Sequence, residues 1–88
     1  MPTISIFFGI VVQMYWRDHN PPHFHAYYQN FDALFEIETG KVMEGRMPPG
    51  ARRIVEAWAL RHKAALLENW ERGRISLPFQ TIIGADEE

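Results

Sequence analysis

Apolar residues alternate with polar or small ones through the first half of the chain and then recur with a helical period, so the pattern predicts sheet first and helix after. Ile4, Ile6 and Phe8 fall on one face of a strand, and beyond Gly9 the series Ile10, Val12, Met14 and Trp16 does the same; two such runs joined at a glycine read as a hairpin. From His23 to Gln29 the alternation resumes, with His23, His25 and Tyr27 on one face and Phe24, Ala26 and Tyr28 on the other. Ala33, Phe35 and Ile37 face inward on a fourth strand, Thr39-Gly40 makes a turn, and residues 41–44 are a candidate fifth. Pro48-Pro49 suits a first helical turn. From Ala51 the residues Ile54, Val55, Trp58, Ala59, His62, Ala65, Leu66, Asn69 and Trp70 share one broad face, and Gly73 is a natural stop. The expectation is an α+β domain over residues 1–83: an antiparallel sheet of four to five strands, with one long C-terminal helix packed on one face. The segment from Ile75 to Ile83 is extended around Pro78, and residues 84–88 are expected as a disordered acidic tail.

Length and composition narrow the options. Eighty-eight residues hold one core, and 47% hydrophobic residues make it a globular one. The absence of cysteine removes disulfides, thiolate metal sites and cysteine nucleophiles, leaving chemistry to histidine, carboxylate and hydroxyl groups. A net charge of -2 argues against duplex DNA binding. A local basic face at Arg52, Arg53, Arg61, Lys63, Arg72 and Arg74 nevertheless keeps a nucleic-acid contact open. Residues 1–16 carry no charged side chain, but the run lacks a basic leader and is too short to span a bilayer. The expected location is cytoplasmic, with no membrane partner.

Candidate chemistry concentrates in Asp18-His19-Asn20-Pro21-Pro22-His23-Phe24-His25-Ala26, which holds three of the four histidines. His23 and His25, two apart on a strand, project from one face with α-carbons roughly 7 Å apart. They can share a divalent transition metal of zinc-like character, with His19 or Asp18 returned as a third ligand by the stiff Pro21-Pro22 connector. A metal-free use of the same residues makes one histidine a general base and another a general acid, with Arg17 or Asn20 holding a phosphate oxygen, which suits RNA cleavage. The third account is structural: Pro21 and Pro22 stiffen the entry to a strand while the histidines bond to backbone groups and stack on aromatic rings. His62 lies in the middle of the apolar helix face, either as a satisfied core histidine or docked into the cluster with Asn69 orienting it. Trp58 and Trp70 read as structural packing.

The opening Met1-Pro2-Thr3-Ile4, the run from His19 to Ala26 and the helix ending Leu66-Leu67-Glu68-Asn69-Trp70 together resemble domain-of-unknown-function family 4160, a group of small bacterial proteins. The family has no established activity. Its members are often encoded beside small proteins of domain-of-unknown-function family 2442, in pairs suspected of being toxin-antitoxin modules. The resemblance therefore implies a small protein partner of that kind. The leading expectation is a protein-interaction module of toxin-antitoxin type with His19, His23 and His25 on its functional surface. The rival is a small hydrolase or ribonuclease using those histidines, with or without a metal. Self-association is a further expectation, because Tyr15, Tyr28 and Leu34 would lie on a sheet face left open.

Overall fold

The computed structural model describes residues 2–88, so Met1, the first residue of the expected domain, lies outside the described residues. Five strands run in chain order as an antiparallel meander: β1 (Thr3–Phe7), β2 (Ile10–Gln13), β3 (His23–Tyr28), β4 (Phe31–Glu36) and β5 (Val42–Gly45). The polypeptide then forms α1 (Pro49–Arg61) and α2 (Lys63–Arg74), followed by an irregular segment to Glu88. The single long helix expected from periodicity is therefore two short helices. They break at His62, whose φ of -112° and ψ of 24° leave the helical well. The physical reason is that the two halves bind different parts of the C-terminal segment. Trp58 Nε1 in α1 donates to the Ile83 carbonyl, His62 Nε2 meets Glu88, and Asn69 in α2 pairs with the Gln80 backbone in both directions. Apolar spacing cannot register partners of that kind. Gly73 is not the stop either, since α2 runs on to Arg74 and ends where Ser76 takes a φ of 62°.

The buried face of the sheet follows the alternation along β2, β3 and β4, apart from Trp16 at the end of the β2 series, which is exposed. Ile10, Val12 and Met14 on β2 and its extension, Phe24 and Ala26 on β3, and Ala33, Phe35 and Ile37 around β4 are all buried. Phe24 and Phe35 stack across β3 and β4 at 5.3 Å, and Trp58 of α1 sits over them and against Phe7 at 4.9 Å. Val55, Ala59 and Leu66 complete the layer. On β1 the expected shared face of Ile4, Ile6 and Phe8 is not realised. A register irregularity between Thr3 and Ser5 shifts the phase, so Ile4 and Phe7 point inward while Ile6 and Phe8 are more than half exposed. One displaced residue exchanges the faces of everything beyond it. Phe8 and Gly9 then close the hairpin with φ of 53° and 76°, the double positive-φ geometry of a tight two-residue turn.

At the other edge, Gly45 has φ of 84°, and a Cβ there would lie 2.5 Å from the Asp32 carbonyl oxygen. Only glycine lets β5 approach β4 so closely. The C-terminal segment touches the β1 edge through one backbone bond, Ile82 N to the Ile4 carbonyl. Within this segment Ile82 and Phe79 pack inward while Ile75 and Leu77 remain exposed. No helix among the described residues is long and apolar enough to cross a membrane.

Candidate functional site

Two elements build the site: the turn after β2 and the first residues of β3. The connector between them is bent rather than extended, with Arg17 at φ 56° and a cis peptide between Asn20 and Pro21. Arg17 fastens this turn to the end of α2, its amide donating to the Gly73 carbonyl and its Nε to Ser76 Oγ. The Pro22 carbonyl accepts from the Ile37 amide and anchors the start of β3. Asp18 is thereby turned back over the outer face of β3, where His23 and His25 project.

Asp18 is the centre of the cluster. Its Oδ1 accepts the His19 amide at 2.9 Å and lies 3.1 Å from His19 Nδ1. Its Oδ2 lies 3.0 Å from His23 Nε2 and 3.4 Å from His25 Nε2. One donor atom from each of Asp18, His23 and His25 falls within 4.8 Å of the other two. His19 is on the far carboxylate oxygen with 81% of its side chain exposed, so the structure selects Asp18 as the third member of the group. Burial by itself raises the Asp18 pKa, but the His19 amide and the neighbouring His23 and His25 rings outweigh it and hold the carboxyl below its ordinary value. Burial, assisted by the neighbouring histidines and opposed by Asp18, pushes His25 below the ordinary imidazole value, favouring the neutral ring that ligates metals.

His23 is the informative residue. Its side chain is 1% exposed, and Nδ1 lies 2.8 Å from the Pro21 carbonyl oxygen. A carbonyl can only accept, so Nδ1 carries a proton. In the neutral ring Nε2 then presents a lone pair, and it faces a carboxylate oxygen. The approach lies off the line a ring N–H would need, and Nε2 has no hydrogen-bond partner despite being fully buried. Two acceptors held together in a low-dielectric site repel unless they share a cation, which a proton or a metal ion can be.

The walls combine aromatic rings of the kind the sequence expects beside the histidines with residues it does not single out for the site. Trp70 packs on His23 at 5.3 Å and, with Tyr15, Gly73 and Arg74, encloses the back of Asp18. Tyr15 sets its ring edge-on to His25 at 4.4 Å. Its hydroxyl, 2.8 Å from that of Tyr27 and 3.2 Å from Gln13 Oε1, is pushed up to about 12 by burial and by the bond to Tyr27. It stays protonated at neutral pH and donates to Gln13, so Tyr27 donates to Tyr15. The open side of the cluster leads into a groove of about 370 Å³ over the outer sheet face, bordered by His19, His25, Tyr27, Asp32, Leu34 and Glu44.

The remaining expected site residues do not join the group. His62 bonds to Glu88 beside Arg61 and packs on Trp58 at 5.5 Å. Trp58 is core, 0% exposed, and the Arg17 guanidinium is committed to Ser76. Asn20 is exposed and makes no hydrogen bond to the cluster among the described residues. Pro21 contributes more than stiffness, because its carbonyl sets the His23 tautomer.

Fold and site together define a small α+β domain that carries a carboxylate and two histidines at the head of an open groove on its sheet. The chain belongs to the family described as Domain of unknown function (DUF4160), whose model matches residues 9–71. The match takes in Asp18, His19, His23, His25 and Trp70 and leaves Met1-Pro2-Thr3-Ile4, Gly73 and Arg74 outside. No curated protein and no solved structure matches the chain.

Proposed function

We propose that the protein is a small metal-dependent hydrolase whose Asp18 Oδ2, His23 Nε2 and His25 Nε2 hold a divalent transition metal. The observation that carries this reading is the buried, unpartnered His23 Nε2 set 3.0 Å from a carboxylate oxygen, with its other nitrogen already used by the Pro21 carbonyl. Nitrogen and oxygen ligands about 2.0–2.2 Å from a shared ion stand about 3.0–3.5 Å apart, which agrees with the two Asp18 contacts. Held by two histidines and one carboxylate, such an ion would supply an activated water and polarise a scissile group. The chain's own residues do the rest. The Pro21 carbonyl holds His23 in the ligating tautomer, Asp18 is kept ionised, and Tyr15 with Trp70 keeps bulk water from the back of the site.

Titration of the purified protein with zinc, nickel and manganese, followed through histidine ring signals by NMR, tests the assignment. The expected result is saturable one-to-one binding that shifts His23 and His25 together and leaves His62 unmoved. Binding is expected to fall by at least tenfold in Asp18→Asn. Uniform weak shifts at the exposed His19 alone would overturn the reading. A ribonuclease use of the site fits less well, since Arg17 is engaged with Ser76 and the groove border includes no lysine or arginine to hold phosphate.

A second reading, the protein-interaction module of toxin-antitoxin type, is favoured by a different surface from the one expected. His23 is buried and cannot dock a partner, whereas Ile6 and Phe8 stand 58% and 57% exposed at the β1–β2 hairpin. A phenylalanine at positive φ is costly for the backbone and invites a purpose. Phe8→Asn is expected to keep the fold and abolish binding to a small protein partner in a pull-down with a protein of domain-of-unknown-function family 2442. Retained binding would remove this surface from consideration.

A further inference from the structure

A directed chain of hydrogen bonds runs across the outer sheet face and ends beside His25. From it we infer that Tyr27 is the specificity-determining residue of the proposed hydrolase, selecting an amide substrate that offers an N–H next to the scissile bond. The assignment rests on the hydrolase reading of Asp18, His23 and His25. Gln13 Nε2 donates to Thr3 Oγ1 at 3.1 Å, which leaves Gln13 Oε1 to accept the Tyr15 hydroxyl at 3.2 Å. A hydroxyl has one proton, so Tyr15 can only accept at its 2.8 Å contact with Tyr27. The Tyr27 proton is thereby committed to Tyr15, and its oxygen keeps only lone pairs for a ligand.

Tyr27 stands next to a proposed metal ligand. Its ring lies along that of His25, at 6.4 Å and 13°, and both residues border the groove of about 370 Å³. Leu34 gives that groove an apolar wall, and apart from histidine and Tyr27 no side chain on its border carries an N–H or O–H donor. An ester, carbonyl or phosphate oxygen placed against Tyr27 would bring two acceptors together. An N–H instead completes a run of donors from substrate through Tyr27, Tyr15 and Gln13 to Thr3. A site built to receive an N–H also rejects the analogue that lacks it, because the acceptor is left unpaired. In the reaction, water adds to the scissile carbonyl carbon, the bond from that carbon to nitrogen breaks, and the departing amine takes a proton from the water.

NMR titration of the full chain, with and without zinc, tests the inference with three probes: Nα-acetyl-leucine methylamide, the same compound methylated at both nitrogens, and diethyl phosphate. The expected result is saturable shifts of the Tyr27 ring and Leu34 amide signals by the first probe. Affinity for the second should be about fivefold weaker or more, and the zinc-free chain should not bind the third. In Tyr27→Phe the two amides should bind alike. Gln13→Met removes the acceptor that orients Tyr15 and should also erase the preference, whereas Gln13→Glu keeps an acceptor there and should retain it. Equal binding of the two amides by the parent, tighter binding of diethyl phosphate, an unchanged preference in Tyr27→Phe, or identical behaviour of the two Gln13 variants would overturn it. Amide preference without zinc uptake at His23 and His25 would remove the hydrolase reading and with it the substrate assignment, leaving an amide-binding groove. Zinc uptake without amide preference would remove this inference alone.

Discussion

His23 and His25 are two residues apart on one strand face, yet the structure gives them different duties. His23 is locked between the Pro21 carbonyl and the Trp70 ring with 1% of its side chain exposed, while His25 opens onto the groove. His23→Ala should therefore lower stability by about 1–3 kcal/mol in urea unfolding, since it leaves the Pro21 carbonyl unsatisfied and a void beside Trp70. His25→Ala should unfold close to the parent and lose metal affinity. The two shifted groups also predict a pH dependence. Asp18 and His25 both have folded pKa values below their ordinary ones, so the unfolded chain binds more protons in each window. Stability should rise with pH through the carboxylate range and again up to the ordinary imidazole value near about 6.5, and be fully present above it. Urea midpoints between pH 3 and 7 measure this. His25→Gln should flatten the upper limb and Asp18→Asn the lower one, and parallel profiles for parent and variants would show that other groups set the slope.

At the scale of elements, side chains that bond to distant backbone decide where helices and strands end. Asn69 is 1% exposed, and its amide both donates to the Gln80 carbonyl and accepts from the Gln80 amide. Asn69→Ala would orphan both backbone groups and is expected to destabilise by about 2–4 kcal/mol, read from chemical unfolding. Gly45→Ala should cost a similar amount, because the new Cβ would collide with the Asp32 carbonyl and with the Ala33 backbone at positive φ. The same variant distorts the β4–β5 border of the groove, so a loss of stability without any change in groove binding would contradict the placement of that border. Much of this layer was legible beforehand: the antiparallel strands, the shared faces along β2, β3 and β4, and a helical start at Pro48-Pro49 follow from alternation and proline chemistry. The break at His62 and the phase of β1 were not legible. The first depends on bonds to Ile83, Gln80 and Glu88, and the second on a one-residue irregularity that leaves composition unchanged.

For the whole molecule, the helices cover one face of the sheet and leave the outer face to the cluster and its groove. A ligand bound only by the folded state stabilises all of it. Zinc at about one hundred times its dissociation constant should add about 2.7 kcal/mol and raise the melting temperature of an 88-residue domain by about 10 °C or more. Calorimetry with and without a chelator checks this, and Asp18→Asn should erase the difference.

What the sequence by itself determined is the material: an α+β chain, a stiff Asn20-Pro21-Pro22 entry to a strand, and three histidines with an aspartate inside eight residues, His23 and His25 sharing a face because strand periodicity is two. What only the tertiary structure decided is which of these act together. Asp18 displaced His19 as the third member because Arg17, tied to Gly73 and Ser76, folds the turn back over β3. Trp70 became a wall of the site because α2 sets its ring against His23, and His62 itself went to Glu88. Spacing along a chain specifies faces within one element. Convergence of elements depends on long-range bonds that no local pattern encodes.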